Sequence, residues 1–334
     1  MAGVSEGSVD RVLHNRGNVS KKSEAKVRAV LERIHYQPNK YASVLASNRN
    51  WTIGCLTPSP DESPYWRQVE CGVTRAADEL ANQNVSVEKF RFNQFDEASF
   101  GEALERMAAS GLDGLVFPPV FKETAEAFAS RLESASVPYA LLDSDLPGHG
   151  PVCYYGQHSP QSGYVAARLL HPWLRDGGVL VVHFGQEKRN IQNQVAERRK
   201  GFMRFAEEWL QGVPVREVDL AAGGEAVIEA VRASRPDACV VFNSRAHVVA
   251  DLLRAAGVAD GIRLVGYDTI PENVERLRGG GVWCLIGQRP ETQGFHAVKA
   301  LGDLLVFRTR PARVNYMPID ILTSDNIDYY SDLE

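Results

Sequence analysis

The chain has 334 residues, of which 44% are hydrophobic and 24% charged, and this balance excludes a disordered or collagen-like polypeptide. No apolar run approaches the roughly 20 residues of a membrane span, so we expect no membrane contact. Residues 1–50 carry nine Lys or Arg and four Asp or Glu, a net charge of +5, whereas the whole chain has −5 and the remainder −10. Such an asymmetry suggests a nucleic-acid contact at one end and a different role at the other.

Two short helices are predicted in the basic segment. Ser5 is a candidate N-cap, and Val9, Val12 and Leu13 follow it at helical spacing, which predicts a helix over residues 6–14. A turn separates this helix from a second one. Ser20 is the candidate N-cap of the second helix, and Val27, Val30, Leu31 and Ile34 form its apolar stripe.

This segment resembles the DNA-binding head of the lactose-repressor (LacI/GalR-type) family. The resemblance rests on the motif AGVS-x3-VDRVLHNRG-x-VS and, after it, KV-x2-VLERIHYQPN-x2-A-x2-LAS. In that family a three-helix unit places its second helix in the major groove. The resemblance implies contacts to operator DNA from Ser5, Glu6, Gly7, Ser8, Arg11 and Asn15.

The same resemblance extends to the segment that follows the head. It implies a hinge helix within residues 39–50, whose Leu45 wedges between base pairs of the minor groove. In the family the first helix of the head lies just before AGVS, and this chain begins at Met1-Ala2. The resemblance therefore implies that about a dozen residues of the three-helix unit are missing here.

Residues 51–334 alternate between strand-like and helix-like patterns, which predicts parallel sheets covered by helices on both faces. The predicted strands are 52–57, 85–92, 114–117, 139–143, 152–155, 179–184, 215–220, 238–242, 263–267 and 282–286. The predicted helices are 66–82, 97–109, 123–135, 160–174, 192–210, 225–233, 245–256, 271–278 and 290–307. The predicted fold class is α/β, with a short helix-turn-helix type head and two doubly wound lobes.

Polar and aromatic residues follow the strands at the end where doubly wound sheets bind ligands. Aromatic rings stack on the C–H faces of a sugar, and planar amide and carboxylate groups bond pairs of its hydroxyls. This pattern favours a carbohydrate or polyol between two lobes. The candidate effector-binding residues are Trp66, Asp143, Phe184, Arg198, Asn243, Asp268 and Gln288.

This region also resembles the family's effector domain, which is like the periplasmic sugar-binding proteins. The matching motifs are Arg198-x-x-Gly201-Phe202, VFNS, LVGYD and IGQ-x-P, and the resemblance implies that their Arg, Asn, Asp and Gln line the cleft. The family often has Asn-Asp where this chain has Asn243-Ser244, a departure in the local polar network.

Each candidate has an alternative structural role. Trp66 and Phe184 could pack in the core. Arg198 could pair with Glu197 or Glu207 on its own helix. The polar residues at the strand ends could cap the helices that follow them.

Catalytic motifs of the P-loop, nucleophile-elbow and zinc-protease types are absent from the sequence. We therefore predict no enzyme activity, no cofactor and no metal site. The five scattered cysteines lack a C-x-x-C pair and no apolar leader opens the chain, which favours a cytoplasmic protein with reduced thiols.

The sequence predicts a transcriptional regulator that binds double-stranded operator DNA as a homodimer and responds to a sugar or polyol. The predicted regions are a partial head over 1–38, a hinge helix or linker over 39–50, and a two-lobed effector-binding and dimerisation domain over 51–334. The alternative is a sugar-binding protein of an uptake or sensing system without DNA binding. A nucleotide-dependent enzyme is a second alternative, but it lacks a phosphate-binding loop.

Overall fold

The computed structural model describes residues 2–13, 17–34, 49–59, 63–184 and 193–330. The chain divides into two compact units, Met1–Arg49 and Asn50–Glu334. The predicted hinge helix, with Leu45, and the candidate Asn15 lie outside the described residues.

The described part of the first unit contains two helices. They are α1 (Glu6–Leu13) and α2 (Lys21–Arg33). The side-chain oxygen of Ser5 accepts a hydrogen bond from the backbone N–H of Ser8 at 3.3 Å, and that of Ser20 accepts one from Ser23 at 3.2 Å. Both serines therefore cap the helix starts as predicted, because each satisfies an N–H group that the helix leaves unpaired.

The predicted apolar stripe of α2 is covered at one end and open at the other. Val27 is buried, as is Val12 on α1, and the two helices contact each other. Val30 and Leu31 are half-buried, and Ile34 is 47% exposed. The α2 stripe thus presents apolar surface beyond its contact with α1.

The second unit contains two lobes, each built on a six-stranded sheet. The strands of the first lobe are β1 (Trp51–Pro58), β2 (Val85–Phe92), β3 (Gly114–Phe117), β4 (Tyr139–Leu142), β5 (Cys153–Gly156) and β11 (Val314–Tyr316). Their order in the sheet is β11-β5-β4-β3-β1-β2, and all these pairings are parallel. Its helices are α3 (Pro64–Ala81), α4 (Glu97–Ala109), α5 (Lys122–Ser134) and α11 (Pro290–Phe307).

The second lobe repeats this plan with the strands β6 (Val179–His183), β7 (Val215–Asp219), β8 (Ala238–Val240), β9 (Arg263–Tyr267), β10 (Cys284–Gly287) and β12 (Asp320–Leu322). Their order in the sheet is β12-β10-β9-β8-β6-β7, and only the β10–β12 pairing is antiparallel among the described strands. Its helices are α6 (Ser159–Leu170), α7 (Asn193–Trp209), α8 (Gly224–Ser234), α9 (Ala246–Ala255) and α10 (Pro271–Arg278).

The chain passes between the lobes three times, at residues 156–159, 287–290 and 316–320. Gln157 joins all three passages. Its buried side-chain amide donates to the carbonyl oxygen of Gly287 at 2.6 Å and to that of Pro318 at 2.7 Å. The passages therefore form one hydrogen-bonded hinge.

After the second passage, α11 returns to the first lobe and packs against α3. Glycines allow the two helix backbones to meet closely. A Cβ on Gly72 would lie 1.9 Å from the carbonyl oxygen of Glu291, and one on Gly294 would lie 2.2 Å from that of Val69. Any larger residue at either position would force the helices apart.

The predicted α/β architecture is confirmed, and each of the ten predicted strands and nine predicted helices corresponds to an element of the two lobes. The short strands β11 and β12 were not predicted. Within the described ranges, no helix combines the length and apolar character that crossing a bilayer requires.

Candidate functional site

A cleft opens between the carboxyl ends of the strands of the two lobes. The space between its walls is about 480 Å³, including the solvent at its open mouth. The first lobe and the second lobe both supply its walls. The lining residues are Ser63, Tyr65, Trp66, Gln94, Val120, Asp143, Ser144, Asn193, Gln194, Val195, Asn243, Ser244, Asp268 and Gln288.

Asp143 follows β4 and is the polar centre of the first lobe's wall. Its Oδ1 accepts a hydrogen bond from the Tyr65 hydroxyl at 2.8 Å and another from the Gln194 amide at 2.9 Å. Tyr65 belongs to the first lobe and Gln194 to the second, so one carboxylate oxygen joins the lobes. The hydroxyl of Ser144 donates to Oδ2 at 3.2 Å.

The hydrogen-bond chain continues into the second lobe through two more residues. The Gln194 amide also donates to Gln288 Oε1 at 2.8 Å, and the Gln288 amide donates to Asp268 Oδ1. Asp268 follows β9, as Asp143 follows β4. The side chains therefore run from α3 in one lobe to the end of β9 in the other without a break.

Both aspartates are almost fully buried, and this raises the pKa of each carboxyl. Loss of hydration is the largest cause, and it raises the pKa of Asp268 to about 6. The positive charge of Arg198 and the bond from Gln288 oppose this shift, whereas the charge of Asp143 adds to it. At both carboxyl groups, the nearby positive charge and hydrogen bonds offset only part of the effect of lost hydration, so the pKa stays raised.

Arg198, in the second turn of α7, lies completely buried behind the cleft wall. Its Nη1 donates to the carbonyl oxygen of Phe242 at 2.7 Å, and its guanidinium lies 3.9 Å from the ring centre of Tyr267. Its Nε and Nη2 have no hydrogen-bond partner among the described residues. Arg198 thus makes neither of the ion pairs with Glu197 or Glu207 that its helix offers, and it keeps two buried donors unused.

Trp66 lines the cleft at the start of α3 and is 6% exposed. Its indole N–H donates to Gln94 Oε1 at 3.0 Å, and its ring packs edge-on against Tyr65 at 5.1 Å between ring centres. The indole is therefore held in a fixed orientation at the wall, where a rigid aromatic surface suits a sugar ring.

Asn243 does not cap α9, whose N-cap residue is Arg245. It lines the cleft, and its Oδ1 accepts a hydrogen bond from the backbone N–H of Arg245 at 3.0 Å. Asp268 does not cap α10. Instead, Asn273 of α10 donates to the backbone oxygen of Asp268 at 3.1 Å and to that of Tyr267 at 2.8 Å, which leaves the Asp268 carboxylate facing the cleft.

Phe184 is not brought to the cleft wall. Its ring is half-buried, packs with the hydrophobic cluster that contains Leu180 and Val182, and lies 5.5 Å from the guanidinium of Arg245. Strand side chains alternate between faces, so Phe184 lies on the same sheet face as Leu180 and Val182, and it is not among the described residues that line the cleft.

The sequence did not single out Tyr65, Gln94 or Gln194 as site residues. Gln94 follows β2, so the rule that ligands bind at strand ends would have included it. Gln194 lies four residues before Arg198 on α7, and residues at this spacing share a helix face.

The candidate DNA-contacting residues of the first unit lie along one short helix. Ser5, Glu6, Gly7 and Arg11 are exposed and Ser8 is half-buried, whereas Val12 points to the core. Helix α1 therefore has a polar surface beside its buried stripe. No group of three or more metal-ligating side chains occurs in the part of the chain that the structure describes.

Comparison with known proteins decides the family. The chain matches the periplasmic binding protein domain over residues 53–309 and the lacI family of bacterial regulatory proteins over residues 1–39. A Bacteroides fragilis protein assigned as a LacI transcriptional regulator has 31% sequence identity and a TM-score of 0.79, and the match covers 85% of this chain and 100% of that one. This chain belongs to the LacI family.

Two sequence relatives of this LacI-family protein are also regulators of transcription. The HTH-type transcriptional regulator DegA of Bacillus subtilis is 25% identical over 281 residues, which are 80% of this chain and 79% of DegA. The ribose operon repressor of Halalkalibacterium halodurans is 24% identical over 282 residues, with 81% and 78% covered. GanP, a glucose-galactose binding protein from Geobacillus stearothermophilus, shares the fold, with 20% identity, a TM-score of 0.73 and coverage of 84% and 99%.

The family resemblance and fold class inferred from the motifs are therefore confirmed. The protein is a LacI-type transcriptional regulator with a domain of the periplasmic-binding-protein type. The alternative of an uptake protein without DNA binding is not favoured, and the sequence relatives DegA and the ribose operon repressor are regulators rather than enzymes.

Proposed function

We propose that a neutral carbohydrate or polyol in the interlobe cleft controls operator binding by this LacI-family regulator. The single observation that carries the proposal is the hydrogen bonding of Asp143 Oδ1. This oxygen accepts from Tyr65 of one lobe and from Gln194 of the other. A ligand that exchanges its own hydroxyls for these bonds would change the contact between the lobes directly.

The chemistry of the wall favours an uncharged, hydroxyl-rich ligand. Its polar groups are amides, hydroxyls and two carboxylates, and none of the described lining residues is Lys, Arg or His. A phosphorylated sugar or sugar acid would bring its negative charge beside Asp143 and Asp268, which the site disfavours. Hydroxyls can instead donate to the carboxylates and accept from the amides.

Arg198 fits a supporting role in this proposal. Its buried charge holds the pKa values of Asp143 and Asp268 below the level that burial alone would set. It therefore keeps a larger fraction of both carboxylates ionised, and an ionised carboxylate accepts stronger hydrogen bonds from hydroxyls.

The ligand would act on DNA binding through the equilibrium between lobe arrangements. A ligand that contacts both lobes binds one arrangement more tightly than another and shifts the population toward it. Through the linker to the head, this shift would alter how the protein holds operator DNA in the cytoplasm. The head residues proposed to contact the DNA are Ser5, Glu6, Gly7, Ser8, Arg11, Asn15 and Leu45.

The protein is proposed to be a homodimer. One head reads only a few base pairs, and a specific site needs two heads about one helical turn apart. Family analogy points to α3 and the region 263–290 as the dimer surface. Sedimentation of the chain at micromolar concentration should show a dimer, and a monomer would contradict this part of the proposal.

A sugar screen tests the effector proposal. Binding of neutral sugars and polyols should raise the melting temperature of the wild-type protein, because a ligand that binds only the folded state stabilises it. Asp268→Ala should abolish the shift, whereas the matched variant Asp260→Ala, at an exposed position outside the cleft, should retain it. An undiminished shift in Asp268→Ala would exclude this site.

A further inference from the structure

A second pocket, here called the side pocket, adjoins the cleft on the side of the first passage between the lobes. The space between its walls is about 560 Å³, including the solvent at its open mouth. It shares Ser144, Asn193 and Gln194 with the cleft. Its lining residues are Lys122, Ser144, Asp145, Pro147, Tyr154, Gln157, His158, Ser159, Pro160, Asn193, Gln194, Glu197 and Tyr316.

Asn193 and Gln194 line both the cleft and the side pocket, and each bonds to the first lobe. Gln194 bonds to Asp143 on the cleft side, and the Asn193 amide donates to the backbone oxygen of Asp145 at 3.1 Å. Both are neutral amides at the start of α7 that reach across to the first lobe. Their bonds can be exchanged for bonds to hydroxyl or ether oxygens, which amides also recognise.

The side pocket has the chemistry of a sugar-ring site. Tyr316 is 53% exposed, and its ring centre lies 5.0 Å from that of His158 and 6.3 Å from that of Tyr154. This aromatic group offers apolar surface for the C–H face of a ring. Asp145 and Lys122 lie in the same wall and can bond hydroxyls at the ring edge.

We propose that the side pocket is a second subsite, so that the effector is a disaccharide or glycoside rather than a free monosaccharide. One ring occupies the cleft, and the second ring or the aglycone occupies the side pocket, with the linkage beside Asn193 and Gln194. This inference rests on the proposed function, because it extends the ligand of the same cleft. Tyr316 is the residue that distinguishes the longer ligand from the shorter.

The side pocket also links ligand length to lobe arrangement. Lys122, Asp145 and Tyr154 come from the first lobe, whereas Ser159 and Glu197 come from the second. A second ring would therefore touch both lobes again and add to the preference for one arrangement. A longer ligand gains affinity and regulatory effect from the same contacts.

Calorimetry on the full chain tests this subsite. The probes are D-glucose, D-galactose, D-ribose and L-arabinose, their methyl and 4-nitrophenyl glycosides, and maltose, cellobiose, lactose and sucrose. At least one glycoside or disaccharide should bind about tenfold or more tightly than its monosaccharide. Tyr316→Ala should remove that gain and leave monosaccharide affinity unchanged. Tyr329→Ala, at an 87% exposed tyrosine that lines neither pocket, is the matched control and should match the wild type.

The outcomes separate the two proposals. If monosaccharides bind but no longer ligand binds more tightly, or if Tyr316→Ala weakens both classes equally, the second subsite is overturned and the cleft proposal stands. If no sugar of either class binds the wild-type protein, the cleft proposal fails and the subsite fails with it.

Discussion

Asp143 and Asp268 are structural equivalents in the two lobes. Each follows the third strand from the edge of its sheet, and each has a left-handed backbone, with φ of 69° and 72°. The N–H of Asp143 donates to the oxygen of Tyr155 on the next strand at 3.1 Å, and that of Asp268 donates to Ile286 at 3.0 Å. A left-handed backbone is uncommon for residues other than glycine, and Asp is among those that tolerate it.

Because of this equivalence, each lobe supplies one buried carboxylate to the cleft. The two lobes turn a carboxylate toward each other from the same position, and Gln194 and Gln288 connect the two. Each aspartate can therefore accept hydrogen bonds from hydroxyl groups on one side of a ligand.

Stability should depend on pH through Asp268. Burial raises the pKa of this carboxyl to about 6 in the folded protein, above the value of about 3.9 for an unfolded Asp. The folded state therefore holds the proton more tightly. The contribution to stability is fully present below about pH 3.9 and is lost as the pH rises through about 6.

Asp268→Asn should remove this dependence. We expect the free energy of unfolding of the wild type, relative to that of the variant, to be larger at about pH 5 than at about pH 7.5, by on the order of 1 kcal/mol. Urea titrations of both proteins at the two pH values measure this difference. A constant difference would show that Asp268 titrates normally in the folded protein.

Gln194→Ala should weaken sugar binding by roughly tenfold with little loss of stability. The variant removes the bonds to Asp143 and Gln288, but the side chain lies at a cleft that water can reach. Titration calorimetry of the sugar identified by the screen provides the measurement. Gln211→Ala, at an exposed position after α7, is the matched control. Equal affinities for the two variants would remove Gln194 from the site.

Arg198→Met should lower both stability and sugar affinity. The wild-type guanidinium is completely buried and bonds to the oxygen of Phe242, which would lose its donor at a cost of about 1–3 kcal/mol. Chemical denaturation measures the loss. Arg204→Met changes an exposed arginine on the same helix and should cost less than about 0.5 kcal/mol. Similar losses in both variants would contradict the buried role of Arg198.

Arg11→Ala should weaken DNA binding and reduce its salt dependence. Arg11 is exposed on α1, and each phosphate contact that is lost lowers the slope of log affinity against log salt by about 1. Fluorescence anisotropy over a salt series measures the slope. Arg131→Ala removes the same charge from α5 of the first lobe and should leave the slope unchanged.

The fold was largely predictable because strands of parallel sheets are buried on both faces. Such strands form continuous apolar runs, as in Gly114–Phe117, where every residue is buried. Strands β11 and β12 have three residues each and include half-exposed polar side chains such as Asn315 and Asp320. They leave no apolar run, and only their pairing with β5 and β10 makes them strands.

The site was predictable where residues follow strands, because the topology brings strand ends together. This rule placed Asp143, Asn243 and Asp268 at one cleft. It did not identify Gln194, which lies on helix α7, and the bond of Gln194 to Asp143 of the first lobe depends on the arrangement of the lobes. Phe184 follows a strand too, but it lies on the same sheet face as Val182 and packs with the core cluster that contains it.

The most direct test is the operator affinity of protein produced from its native gene, with a C-terminal tag, in the presence and absence of the sugar. The DNA is the region upstream of its own and neighbouring genes, at one fixed salt concentration. We predict salt-dependent binding whose affinity changes by about tenfold or more when the sugar is added, and binding by Asp268→Asn that does not respond to the sugar. Equal operator affinity of the wild type with and without a sugar that stabilises it would contradict the account.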